Sequence, residues 1–353
     1  MRRSVRRTGR RPSGRRNRTC RRCRRAEALC RSDERHESNG FRSRRRAMRG
    51  YGRGGMLAGL FGVGVCGMLF AGGAASADAP IVPPGARVEK LAGGFRFTEG
   101  PAWDRKEAVY FSDIPNRTIH RWTKKGGVGV FRKLPGSCNG LRFDRDGNLY
   151  VCQPTGRRLI RITTDGRIEV VADRYKGKRL NSPNDLWIDP RGGIYFTDPR
   201  YGSMEGLEQD GFHVYYVPPG GGAPRRVIDD LKKPNGVIGS ADGKKLYVAD
   251  HGGDTTYVYD ITADGTLRNR RVAAPVGSDG LALDERGNIY VTGRTIRAYS
   301  PNGKVVAEIP LPEVAANMTF GGPDTRTLFI TARTGFYAIR LNVRDGSDPF
   351  AAR

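Results

Sequence analysis

Several common catalytic signatures are missing from this 353-residue chain. It has no Gly-x-Ser-x-Gly elbow, no Walker loop, no Gly-x-Gly-x-x-Gly following a strand and no His-x-x-x-His pair. Triad hydrolysis, nucleotide binding and zincin chemistry therefore have no sequence support. Convincing helical periodicity is absent throughout, which leaves no basis for a helix-built core. Cysteine is sparse, and Cys20, Cys23 and Cys30, with His36 nearby, have a spacing that fits no standard zinc finger. Lysine is absent from residues 1–53, and charge of either sign is absent from residues 54–77.

These gaps sharpen what remains. Residues 1–53 hold 21 Arg against four acids (Glu27, Asp33, Glu34 and Glu37), so this head carries +17 of the chain's +26. The other 300 residues carry +9, a modest excess that does not argue for nucleic acid as a partner. With almost no apolar periodicity, the head is expected to be disordered. A start at Met48 would give an ordinary short basic region, MRGYGRGG, so the first 47 residues read as a mis-called start. In residues 54–77 an apolar stretch from Met56 to Phe70 is followed by Ala75-Ser76-Ala77, a secretory signal pattern with cleavage expected before Asp78. An uncleaved anchor is the alternative, but the Gly-rich run and the A-x-A ending favour cleavage. Either way the chain is expected to be exported, to the periplasm or the extracellular space, and after cleavage to have no stable membrane insertion. Arg44-Arg45 weakly resembles a twin-arginine signal, and Cys66 follows Val65 rather than the small residue that lipidation prefers.

Residues 78–353 carry a repeat. Six segments share the form polar residue, apolar strand, Asp/Gly turn, strand with a central aromatic. They begin EGPAW at Glu99, NGLRF at Asn139, NDLWI at Asn184, NGVIG at Asn235, DGLAL at Asp279 and NMTFG at Asn317. The aromatics Tyr110, Tyr150, Tyr195, Tyr247, Tyr290 and Phe329 are spaced by 40, 45, 52, 43 and 39 residues, the period of a four-stranded propeller blade. Two further alternating segments follow each hairpin, such as RLIRITT and RIEVVAD after the second. Blade six lacks room for its fourth strand, and RVEKLAG (Arg87–Gly93) is expected to supply it and close the ring. The sequence thus predicts an all-β, six-bladed β-propeller of four-stranded blades.

In such a fold the first strand of each blade lines a central channel, so Glu99, Asn139, Asn184, Asn235, Asp279 and Asn317 should form one ring at its mouth. Each stands 11 or 12 residues before its aromatic. Turn chemistry accounts for Asn and Asp here, since four of the six are followed by Gly, but not for Glu99. A set of side-chain oxygens without His or thiolate suits a hard divalent cation, with Ca2+ first and Mg2+, Mn2+ or Zn2+ open. Glu99 and Asp279 would offset its charge, with Asn184 and Asn235 as neutral ligands. Burying both carboxylates without a cation would force one to protonate. Asp113, Gln153, Asp198 and Asp250, with His251 beside the last, end the second strands at the same end and are candidates to support the ring or to cap turns. His120 and His213 read as ordinary partly buried histidines. Cys138 and Cys152 face each other across the blade-two hairpin, as a disulfide or as two thiols.

The ordered set EGPAW, YFSDIPN, NSPNDL, YFTDPRYG, KPNGV, LYVAD, SDGLALDERGNIYVTG and TFGGPDTRTLFIT resembles the gluconolactonase, senescence-marker-protein (regucalcin) and luciferin-regenerating-enzyme family over residues 87–341. The resemblance implies a cation at the channel mouth held by Glu99, Asn235 and Asp279, Asn184 as a substrate or metal contact, and Asp279 as proton acceptor and donor. Pro154 and Ser182 depart from a His of bacterial members and an Arg of the animal branch, which leaves the sugar lactone open. The expected reaction is cation-assisted hydrolysis of a sugar lactone, a small-molecule substrate. Asp279 would act as general base, Asn139, Asn184 and Asn317 would bond sugar hydroxyls, and Tyr201 would wall the pocket. Hydrolysis of other esters or phosphotriesters on the same cation site, or a non-catalytic propeller that binds a sugar acid or protein, are the alternatives.

Overall fold

The computed structural model describes residues 79–351, so the Arg-rich head and the signal segment lie outside the described residues. Strands are where the alternating segments put them. Blade one runs Thr98–Trp103, Ala108–Asp113, Thr118–Thr123 and Gly127–Lys133, each antiparallel to the last. The inner strands of blades two to six are Leu141–Phe143, Leu186–Ile188, Pro234–Gly239, Leu281–Leu283 and Ala315–Gly321. All six blades are four-stranded, and each inner strand touches the inner strands of the blades before and after it. A short additional hairpin, Arg174–Tyr175 with Lys178–Arg179, connects blades two and three.

Ring closure follows the expected route. Glu89–Gly93 pairs antiparallel with Gly335–Arg340, with Glu89 opposite Ala338 and Gly93 opposite Gly335, and so becomes the outermost strand of blade six. Every blade then has its edge completed from within the chain. Apolar side chains on facing sheets fill the spaces between blades. Trp187 and Tyr195 of blade three are fully buried against Val237 and Leu246 of blade four, and Tyr290 of blade five packs against Met318 and Phe320 of blade six. Each such side chain contributes about 1.5–3 kcal/mol by leaving water.

Glycine after the ring residue lets the inner strands converge. A Cβ on Gly100 would stand 2.2 Å from the Asn139 carbonyl, and one on Gly140 would stand 2.7 Å from the Asp185 backbone. Neither position has room for a side chain.

At the other end of the channel, the C-terminal segment crosses beneath all six blades. Asp345 N donates to Thr325 O of blade six, Gly346 N to Leu283 O of blade five, and Gly346 O accepts from Ala241 N of blade four. Trp187 Nε1 of blade three donates to Ser347 O at 3.0 Å. Arg105 of blade one pairs with Asp348 at 3.3 Å, and Arg145 of blade two lies over the Phe350 ring. Beneath this segment, among the inner-strand ends, is a space of about 20 Å³, room for a water molecule.

Candidate functional site

The same strands that build the blades aim the ring. In blades one, three and four the last residue of the second strand is an aspartate, and its carboxylate grips the loop leading into that blade's own ring residue. Asp113 accepts from Arg96 N and Phe97 N, Asp198 from Asn181 N and Ser182 N, and Asp250 from Lys232 N and Lys233 N. In each case these amides stand three and two residues before Glu99, Asn184 or Asn235. Of the two roles open to these aspartates, the structure shows loop capping. The hydroxyl just before two of them reaches the next blade: Ser112 Oγ donates to Asn139 O at 2.7 Å, and Thr197 Oγ1 to Asn235 O at 2.7 Å. The YFSD and YFTD motifs thus hold two neighbouring ring positions at once.

Glu99, Asn139, Asn184, Asn235 and Asn317 are all buried, while Asp279 keeps some surface open to a pocket of about 330 Å³. Asn235 Nδ2 donates to Asp279 Oδ1 and to the Tyr201 hydroxyl, both at 2.7 Å. Asn317 Nδ2 donates to Glu99 Oε2 at 3.0 Å, and its Oδ1 accepts from Met318 N. Asn317, which the sequence assigned to a sugar hydroxyl, holds Glu99 in this structure. Asn139 Oδ1 is a buried acceptor with no donor, and the Asn184 side chain makes no hydrogen bond among the described residues. Tyr201 walls the mouth: the residue is 42% exposed, but its hydroxyl reaches in to Asn235.

One member of the constellation was missed. Asp185, fully buried, follows Asn184 where four other ring residues are followed by Gly. Its Oδ1 accepts from Leu186 N and its Oδ2 from Val237 N. That break in the repeat, NDL in place of NGL, was the available signal. Three carboxylates now share the channel mouth. Burial first, then Asp279 and Asp185, push the Glu99 carboxyl well above its usual range. Burial, reinforced by Asp185, raises Asp279 to about 7 against the opposing Asn235 hydrogen bond and Arg333 charge. Burial also raises Asp185, opposed by Arg142. None of the three forms an ion pair with a Lys or Arg among the described residues.

The pocket beside Asp279 is lined by Phe97, His251, Ser278, Thr292, Val314 and Arg333, among others. Burial, then the neighbouring Lys233, lower the His251 pKa, which favours the neutral imidazole. His213, bonded to Asp210, and His120, stacked on Phe111, lie away from this pocket. Cys138 and Cys152 are free buried thiols, which removes the disulfide alternative. Glu99, Asp185 and Asp279 are near enough to repel one another, but among the described residues no three His, Cys, Asp or Glu side chains meet at one point as three metal ligands would. The candidate donor set is instead two carboxylates with amides, an oxygen set with an unused acceptor at Asn139.

Comparison with known proteins agrees with the propeller fold. Residues 97–334 match the family described as the SMP-30/Gluconolactonase/LRE-like region. The chain is similar to a gluconolactonase of Zymomonas mobilis, 31% identical over 72% of this chain and 81% of that one. It is also similar to a pentonolactonase of Haloferax volcanii, 28% identical over 68% and 82%. A solved gluconolactonase structure from Xanthomonas campestris superposes with a TM-score of 0.69 at 31% identity, covering 75% of this chain and 96% of that one. The chain belongs to the SMP-30/gluconolactonase/LRE-like family.

Proposed function

We propose that this protein is an exported, cation-dependent hydrolase of sugar lactones. The observation that carries the reading is the cluster of Glu99, Asp279 and Asp185 at the channel mouth, with no cationic side chain bonded to them among the described residues. Like charges in a desolvated site are stable together only when protonated or neutralised by a cation. Glu99, Asn235 and Asp279 would hold that cation, with Asn184 beside them and Asn139 Oδ1 as an additional oxygen; an all-oxygen set of this kind favours Ca2+. When bound, the cation supplies a Lewis acid for the lactone carbonyl. Similarity to gluconolactonase and pentonolactonase relatives supports the substrate class.

The chain's own groups account for the remaining steps. Asp279 borders the open pocket and takes the proton of the attacking water, then returns it to the ring oxygen as the ester opens. Asn235 orients the Asp279 carboxylate through the 2.7 Å hydrogen bond, and Tyr201 fixes Asn235 from the other side. Asn139 and Asn184 have amide groups free to bond sugar hydroxyls. Metal-stripped protein should be inactive and regain lactone opening, read as proton release, on addition of single cations, Ca2+ foremost. A panel of lactones hydrolysed by no cation form would replace this reading with that of a binding propeller. For export, the protein recovered from its producing cell should begin near residue 78; intact chain from Met1 in the cytosol would overturn that part.

A further inference from the structure

Arginines at equivalent turns of this propeller have different fates. In blades one and two the turn before the third strand ends on Arg117 and Arg157, both in the left-handed region with φ of 55° and 53°. Their guanidinium groups are engaged by neighbouring loops: Arg117 Nη1 donates to Pro135 O at 3.3 Å, and Arg157 Nη1 to Gly206 O at 2.9 Å. Blade six places Arg333, φ 44°, in the corresponding turn. Its carbonyl accepts from Thr98 N at 2.8 Å, which fixes the turn one residue from Glu99. Its guanidinium, unlike the other two, has no hydrogen bond or ion pair among the described residues. It lies 5.9 Å from the centroid of the Phe97 ring and lines the same pocket as Asp279.

Some exposed arginines are paired, as Arg121 is with Glu107, Arg297 with Glu308 and Arg340 with Asp324. Others, such as Arg87, Arg268 and Arg294, have no side-chain partner among the described residues. What distinguishes Arg333 is that it stands unpaired in the pocket that Asp279 borders. Lys233 at the mouth is also unpaired among the described residues; its Nζ stands 5.0 Å over the Tyr201 ring, and its side chain packs near Gly252, beside His251. The site is thus acidic at the ring and basic at its rim. The Arg333 charge favours the ionised form of Asp279 whatever the substrate, and it leaves the guanidinium donors unused, so an anionic substituent in the pocket would meet them through charge-assisted hydrogen bonds.

We propose that Arg333 binds a second, anionic group of the substrate, so that the preferred lactones carry a carboxylate, sulfonate or phosphate remote from the ester. The inference rests on the lactonase reading above and names its substrate class. The test compares glucono-1,5-lactone, glucaro-1,4-lactone and 6-phosphoglucono-1,5-lactone at one saturating cation concentration. Wild-type kcat/KM should favour at least one anionic lactone by about tenfold or more, the scale of one charge-assisted contact. That preference should shrink with added salt. Arg333→Gln should reduce the ratio of anionic to neutral kcat/KM about tenfold, mainly through KM, and Arg333→Lys should retain part of it. A wild-type ratio at or below one for both anionic lactones, with the neutral lactone turned over, overturns this inference and leaves the lactonase reading intact. If no lactone is hydrolysed, the lactonase reading fails, and calorimetry with glucarate against gluconate decides the anion site. Tighter glucarate binding that weakens in Arg333→Gln supports the site, and equal affinity overturns it. Should Arg333→Gln not fold, the wild-type ratio and its salt dependence still decide.

Discussion

The inner hairpins of blades one, three and five carry a carboxylate at both ends and put it to opposite use. At the far end, Asp104, Asp144, Asp189 and Asp284 sit in the tight turns, each with a carboxylate oxygen accepting two or three backbone amides. Asp284 accepts also from Asn288 Nδ2 at 2.8 Å and the Tyr290 hydroxyl at 3.0 Å. At the mouth, Glu99, Asp185 and Asp279 stand near one another with fewer donors: two on one oxygen of Glu99, one amide on each oxygen of Asp185, and only Asn235 Nδ2 on Asp279 among the described residues. An aspartate whose oxygens are satisfied by its own turn holds the fold together. One that the backbone leaves underserved at a shared axis is available for chemistry.

The sharpest way to break this contrast is Asp279→Asn. The amide retains an oxygen for a cation but cannot accept the water's proton, so lactone hydrolysis at saturating cation should fall about 10²–10⁴-fold with little change in melting temperature. Wild-type turnover by this variant would make Asp279 a ligand only. Asp284→Ala should do the reverse. Stranding the buried Asn288 backbone amide, its side-chain amide, the Tyr290 hydroxyl and the partly exposed Arg286 amide should cost about 2–4 kcal/mol in denaturant unfolding, with kcat/KM per folded molecule unchanged. Next in size, Glu99→Gln should weaken cation affinity by about tenfold in calorimetry, since it removes one of the charges that offset the ion. Cation-free protein should be no less stable for the change, because a repelling carboxylate is gone.

The pH response of cation-free protein sharpens the contrast further. Asp279 is held at about 7 in the folded state, above the roughly 3.9 of an unfolded aspartate. Between those values the native state keeps a proton that the unfolded chain has lost. Stability from this group is therefore full below about pH 4 and is lost as pH rises towards 7. Denaturant midpoints should fall across that window, and saturating cation should flatten the decline. The smallest effect expected is that of Asp348→Asn, which removes the ion pair to Arg105 under the channel and should cost about 1 kcal/mol or less, with no change in cation affinity.

Most of the architecture was legible because a propeller repeats its chemistry. Asn-Gly and Asp-Gly turns, a central aromatic and alternation along each strand recur at a fixed period, and even the closing strand at Arg87–Gly93 was readable from a missing segment in blade six. What departs from the repeat, or lies outside it, was harder to read. Asp185 breaks the repeat at one position, where burial rather than residue type gives it meaning. Arg333 occupies an ordinary turn, and only its lack of a partner beside the pocket sets it apart. The C-terminal segment has no counterpart in any blade, so nothing in the periodicity announced that it would run beneath the channel. Asn317 shows the limit of equivalence: it occupies a ring position yet serves Glu99.

The closing strand has a consequence for how the active protein comes into being. Glu89 pairs with Ala338, and Glu99 takes its hydrogen bond from Asn317, 218 residues away along the chain. Blade six therefore supplies both the partner of the closing strand and the hydrogen bond that holds Glu99, so a nascent chain lacking this blade has neither. Folding must await synthesis of almost the whole polypeptide, and pairings so distant in sequence make assembly slow. The same seam brings the first and last strands of the propeller side by side. A circular permutant that joins these termini and opens a surface loop in another blade would move the seam elsewhere and leave the ring of oxygens as it is.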